Sequence, residues 1–77
     1  MEFEKIRDIV AGVLGVDKDT ITLESKFIDD LGADSLDLFQ IILEIENEFE
    51  IMIDDSQVEN IVTVGDAVRE IQKATNE

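Results

Sequence analysis

The stretch GADSLDL, residues 32–38, sets Ser35 between Asp34 and Asp37 in a chain that has no histidine and no cysteine. A serine hydroxyl attacks a substrate only with a base beside it, and the local sequence offers only those two aspartates. Repulsion within an acidic cluster raises carboxylate pKa values, and the same negative charge disfavours an alkoxide at Ser35. Catalysis by this chain alone is not expected. Two readings of Ser35 remain: a helix-start residue without further role, or an exposed hydroxyl on which another protein acts. A phosphodiester attached there would gain from the helix-end dipole and free N–H groups, while Asp34 and Asp37 would repel it.

Other constellations carry less. Without cysteine there is no disulfide, thiolate catalysis or thiolate metal site. The pairs Asp29–Asp30 and Asp54–Asp55 lack EF-hand spacing and its central glycine. Weak, charge-relieving binding of Ca²⁺ or Mg²⁺ by Asp29, Asp34 and Asp37, or by Glu46, Glu50 and Asp54, is expected. A dedicated metal site is not. Asp34 and Asp37 have no source of the divergent pKa values a glycosidase pair requires. Gly12, Gly15, Gly32 and Gly65 form no phosphate-cradling loop.

The 77 residues suffice for one domain, 1–77, with a small core. The net charge of −14 is unevenly spread: residues 1–28 carry −2, residues 29–59 hold eleven acids and no base, and residues 60–77 carry −1. Such a field steers basic partners in and repels nucleic acid and anionic lipid. Its cost is self-repulsion, so stability should rise with salt or divalent cations. A solvated acidic face kept for solubility is the plainer alternative. No stretch approaches the roughly 20 apolar residues of a membrane span, and MEFEKIRDIV lacks the apolar run of a signal peptide. The expectation is a monomer of the cytoplasm, or of an organelle lumen after processing, with no nucleic-acid partner and no membrane insertion.

Three main helices must position Ser35. In FEKIRDIVAGVL, residues 3–14, Phe3, Ile6, Val10, Val13 and Leu14 follow helical spacing, and Gly15 is placed to end the helix. The segment between Gly15 and Gly32 has no helical period. It reads as a long ordered connection whose Val16, Ile21, Leu23, Phe27, Ile28 and Leu31 plug into a core, with a short turn near 27–31. Residues 35–50 form the clearest helix, with Asp34 as N-cap and Asp37 closing a capping box. A brief helical turn is expected within 54–60. Thr63 and Asp66 then cap a last helix with Val64, Ala67, Val68 and Ile71 on its apolar face, and the tail KATNE should fray. The class is all-α.

The helix after Ser35 has two apolar faces. At about 100° per residue, Leu38, Ile42, Ile45 and Phe49 share a sector of about 60°, with Ile41 about 40° beyond. Leu36, Phe39 and Leu43 lie elsewhere, among Gln40, Glu46, Asn47 and Glu50, on the side adjoining Ser35. An apolar strip with a charged rim is what a docking face requires, its centre losing water on contact and its rim giving steering. Its complement would be a basic patch with a few apolar side chains. Packing of Leu36 or Phe39 against the long loop is the alternative.

LGADSLD at 31–37, followed by an acidic and apolar helix ending EIENEFEI at 44–51, closely resembles the acyl carrier protein family of bacterial and organellar fatty-acid synthesis. The resemblance extends to IxxIVAGVLGV at 6–16, ITLESKFIDDLG at 21–32 and VENIVTVGDAV at 58–68. It implies a small four-helix bundle with a long loop between helices one and two and a short third helix. It implies 4'-phosphopantetheine on Ser35, delivered from coenzyme A by a holo-synthase (a phosphopantetheinyl transferase) using Mg²⁺, with Asp34 as a Mg²⁺ contact. Acyl groups would then ride as thioesters, in a cavity lined by Leu38, Ile42, Ile45, Ile53, Ala67 and Ile71. Helix two would dock fatty-acid synthesis enzymes and acyltransferases through Leu36, Asp37, Phe39, Gln40, Leu43, Glu46 and Asn47. Gln40, Glu44, Asn47 and Asp54 depart from the family pattern, Asp54 standing at its usual proline, and Phe39 is bulkier than the common valine. A specialised D-alanyl or polyketide carrier is the alternative. An unmodified acidic helical interaction module and a calcium sensor are the readings from other classes.

Overall fold

The computed structural model describes residues 2–75. The described residues form four α-helices: α1 (Glu2–Leu14), α2 (Ser35–Phe49), α3 (Asp55–Val58) and α4 (Val64–Thr75). α1 packs against both α2 and α4. The expected fraying of the tail falls partly on residues 76 and 77, outside the described residues; Lys73 to Thr75 continue α4.

Each helix begins and ends where local chemistry dictates. α1 stops at Gly15, whose φ of 68° is left-handed and whose N–H donates to the Ala11 carbonyl at 2.8 Å. α2 opens with a reciprocal cap: the Asp37 N–H donates to Asp34 Oδ1 at 2.9 Å and the Asp34 N–H to Asp37 Oδ2 at 3.3 Å. The bonds satisfy two backbone donors that the helix start and its cap would otherwise leave to water. At the far end Glu50 adopts φ 55°, a left-handed position that costs a non-glycine residue energy. Glu46 holds this turn: its carbonyl accepts the Ile51 N–H at 3.1 Å and its Oε2 the Ile53 N–H at 2.8 Å.

α4 is capped by Thr63 and Asp66. Thr63 Oγ1 accepts the Asp66 N–H at 3.1 Å, while Asp66 Oδ2 accepts the N–H groups of Thr63 and Val62 at 3.1 and 3.0 Å. These two backbone bonds, aided by Arg69 and opposed by partial burial, hold the Asp66 carboxyl below its ordinary value of 3.8. A carboxylate lowered on folding stabilises the native state fully above its unfolded pKa, and the benefit fades as pH falls through the folded value. The difference in urea midpoint between wild type and Asp66→Asn is therefore expected to be largest above pH 5 and to shrink below pH 4. A difference independent of pH would refute this.

Asp54 precedes α3 with φ −65° and ψ 147°, makes no side-chain cap, and its N–H meets no acceptor among the described residues. A proline ring requires that φ and lacks that N–H. Asp54→Pro is accordingly expected to raise stability by about 0.4–1 kcal/mol, by restricting the unfolded chain. Chemical denaturation checks the sign.

The core joins Ile6 and Val10 of α1, Ile41, Ile42 and Ile45 of α2, and Val64, Ala67 and Ile71 of α4, with Ile21, Phe27, Ala33, Ile53 and Ile61 from the connections. The long loop contributes less than expected. Ile21 and Phe27 are buried and Val16 and Leu31 partly so, but Leu23 and Ile28 are about half exposed. The reason is backbone pairing. The loop runs beside the α3–α4 connection, with Phe27 N–H to the Val62 carbonyl at 3.0 Å, Val64 N–H to Ser25 at 3.0 Å and Gly65 N–H to Leu23 at 2.8 Å. Lys26 and Thr63 form an isolated antiparallel bridge within it. Phe27, bonded through its N–H to Val62, faces inward, and the turn that follows Lys26 carries Ile28 outward. Along the extended Ile61–Val62, adjacent side chains point to opposite sides, with Ile61 inward and Val62 outward. A 3₁₀ turn at Lys18–Thr20, unforeseen from the sequence, is capped by Asp17.

Candidate functional site

The position of Ser35 is built from Phe27 outward. Phe27 is 1% exposed and anchors the loop in the core. Immediately beyond it the chain turns: the N–H groups of Asp30 and Leu31 both donate to the Lys26 carbonyl at 3.0 Å, and Asp30 Oδ2 accepts the Lys26 N–H at 2.9 Å. Gly32, at φ 75°, reverses the chain, and the Ala33 N–H returns to the Phe27 carbonyl at 2.9 Å. Ala33 is buried and Asp34 is extended, capping α2. Ser35 is thus the first residue of a long helix whose start is tied twice to the core.

Three serines are present. Ser25 is 8% exposed, and its Oγ accepts the Thr22 N–H at 2.9 Å and meets the Thr22 hydroxyl at 3.2 Å. Ser56 is exposed but belongs to the four-residue α3. Ser35 is exposed and lines a mainly apolar cleft of about 450 Å³, with Leu38 and Phe39 of α2, Val58, Glu59, Ile61 and Val62 opposite, and Lys26–Asp29 of the loop. An arm fixed to Ser35 would have this apolar wall beside it, and the N–H groups of the first turn that the cap leaves over would favour an anionic group at that helix end. The site fits a phosphodiester-linked prosthetic group.

Of the residues expected to line a cavity, only Leu38 reaches this cleft. Ile42, Ile45, Ile53, Ala67 and Ile71 are buried in the packed core. Helical spacing identifies inward-facing residues, yet it cannot distinguish the rim of a cleft from a filled interior. The lining residues outside α2 were missed because they come from segments with no helical period to follow: the turn after Lys26, and the end of α3 with the chain beyond it. Their signal lay in the apolar pairs Phe27–Ile28 and Ile61–Val62, one member of each facing in and the other out.

Along α2, Leu36 is 78% exposed, Phe39 56% and Leu43 47%. Gln40 and Asn47 are exposed, and Gln40 Nε2 donates to Glu44 Oε2 at 3.3 Å. Asp37 and Glu46 are half-buried and each spends a carboxylate oxygen on backbone N–H groups. The described residues bring no three carboxylates together to hold a metal ion.

The family model for the phosphopantetheine attachment site matches residues 4–71. The chain is similar to an acyl carrier protein of Clostridium acetobutylicum, 49% identical over 77 residues and covering all of both chains. Among solved structures, a chain from Mycobacterium tuberculosis matches with TM-score 0.89 at 40% identity, over 95% of this chain and 97% of that one. An acyl carrier protein from Enterococcus faecalis matches with TM-score 0.81 at 34% identity, over 96% and 94% of the two chains.

Proposed function

The chain belongs to the acyl carrier protein family, a non-catalytic carrier that bears acyl groups through phosphopantetheine on a serine, and we propose that this serine is Ser35. The observation that carries the assignment is the contrast among three serines. Ser25 is buried and hydrogen-bonded, Ser56 lies outside the cleft, and Ser35 combines exposure with a fixed helix start and an apolar wall. In the modification Ser35 Oγ forms a bond to the pantetheine-bearing phosphorus of the coenzyme A diphosphate, the P–O bond from that phosphorus to 3',5'-ADP breaks, and the serine proton leaves to the modifying enzyme. Asp34, whose second carboxylate oxygen the cap leaves over, is the residue that would contact Mg²⁺ there. When bound, the arm supplies a thiol that this cysteine-free chain lacks.

The acyl group shelters along Leu38, Phe39, Val58, Ile61 and Val62. Reaching Ile42, Ile45, Ile53, Ala67 and Ile71 would require opening a filled core, at a cavity cost. Partners are a holo-synthase and fatty-acid synthesis enzymes and acyltransferases in the cytoplasm, which meet the carrier as a monomer. Their basic patches dock on Leu36, Phe39 and Leu43, with Asp37, Gln40, Glu46 and Asn47 as the rim. Peptide mapping after incubation with coenzyme A, Mg²⁺ and a holo-synthase tests the assignment; an adduct anywhere but Ser35 overturns it.

The docking face has its own test. Leu43→Glu is expected to weaken partner association at least tenfold, because it puts a charge where water must leave. Helicity by circular dichroism should be unchanged, since Leu43 is half exposed. Unfolding of the variant would assign Leu43 to the core.

A further inference from the structure

The loop delivers one cation to an otherwise acidic rim. Residues 29–59 contain no base, and the charged residues lining the Ser35 cleft are Asp29, Glu59 and Lys26. The Lys26 backbone is held on every side: its N–H by Asp30, its carbonyl by Asp30 and Leu31, and its strand-like pairing by Thr63. Its side chain is exposed and joins none of the ion pairs among the described residues, which are Lys5–Glu48, Arg69–Asp66 and Lys73–Glu70. Asp30, Asp34 and Asp37 each spend a carboxylate oxygen on backbone N–H groups, and Glu24 and Asp29, the acids nearest in sequence, make no ion pair with Lys26 among the described residues.

A phosphodiester on Ser35 adds a fixed negative charge at the mouth of this cleft, where Asp34 and Asp37 repel it. We infer that Lys26 is a positioning residue that pairs with the phosphodiester of the arm and lays the arm along the cleft instead of out into solvent. The inference rests on Ser35 as the attachment point. Lys26 is the single lining group with the sign to oppose that repulsion, and its pinned backbone limits the entropy lost in pairing. The pair is solvent-exposed, so it shifts the arm between cleft and solvent by roughly two- to five-fold and weakens as salt shortens the screening length.

The experiment uses wild type, Lys26→Gln and Lys26→Arg, each converted to the modified form and verified by intact mass. Phosphorus NMR reads the phosphodiester, and nuclear Overhauser contacts between pantetheine protons and the Phe39 ring read the arm's place. In wild type the phosphorus shift and the contacts should change between about 0.02 and 0.5 M salt, as the screening length contracts from about 20 to 4 Å. Lys26→Gln should lose that salt dependence and two- to five-fold of the contact intensity, and Lys26→Arg should retain both. Because the Lys26 backbone carries the structural bonds, amide spectra of the unmodified variants should superpose on wild type. Identical phosphorus shifts and contacts in modified wild type and Lys26→Gln, or a salt-insensitive wild type, would overturn the role of Lys26 alone. Failure of wild type to gain the arm on Ser35 would overturn both assignments, and the mass spectrum would reveal it before any resonance is read.

Discussion

Replacing Ser35 by alanine is expected to abolish the gain of a phosphopantetheine mass that wild type shows with coenzyme A, Mg²⁺ and a holo-synthase. Ser25→Ala and Ser56→Ala should gain it as wild type does. The loss should be complete, because the bond to phosphorus needs an exposed oxygen. Ser25 Oγ is buried against Thr22, and Ser56 lies outside the apolar cleft. The change should cost the fold little. Asp34 remains as N-cap, its bond to the Asp37 N–H does not involve the serine side chain, and an exposed substitution away from such features changes stability by about 0.5 kcal/mol or less. Intact mass and circular dichroism on the same sample therefore separate lost chemistry from lost structure. An adduct that persists on folded Ser35→Ala would sink the assignment.

The second large effect concerns stability. Phe27→Ala is expected to destabilise by about 3–5 kcal/mol, the usual cost of emptying a buried phenylalanine site. Domains hold only about 5–15 kcal/mol in all, and one this small lies toward the bottom of that range. The variant should unfold with a much-lowered urea midpoint, or show no cooperative transition. Phe39→Ala makes the same chemical change on a side chain 56% exposed and should cost less than about 1 kcal/mol. Phe27 also receives the Ala33 N–H on its carbonyl and donates its own N–H to Val62. Loosening it should therefore slow modification of Ser35 even in conditions where the helices persist. Equal midpoints for the two phenylalanine variants would show that the loop is not anchored through Phe27.

The acidic chain combines two requirements that work against each other. Residues 29–59 hold eleven acids and no base; a field of that sign favours basic partners, and the same charges repel one another. Part of the repulsion is relieved by giving carboxylates a second task. Asp30, Asp34, Asp37, Glu46 and, on α4, Asp66 all accept backbone N–H bonds at turns or helix starts. Glu46 illustrates the consequence: a residue expected on the docking rim also holds the Ile51–Ile53 turn, so neutralising it would disturb structure and docking together.

What could be read along the chain was whatever acts within a few residues. The helices, the Asp34–Asp37 and Thr63–Asp66 caps, the stop at Gly15 and the two apolar faces of α2 all follow from hydrogen bonds and side-chain neighbours three or four positions apart, and these were legible in GADSLDL and its surroundings. The cleft was not, because its walls come from residues 26–29, 35–39 and 58–62, brought together by backbone pairing between Phe27 and Val62. The same pairing decided which member of Phe27–Ile28 and of Ile61–Val62 faces inward, and it carried Lys26 to the mouth of the Ser35 site. Contacts that span 35 residues leave no periodic trace in the sequence. Only the packed chain determines them.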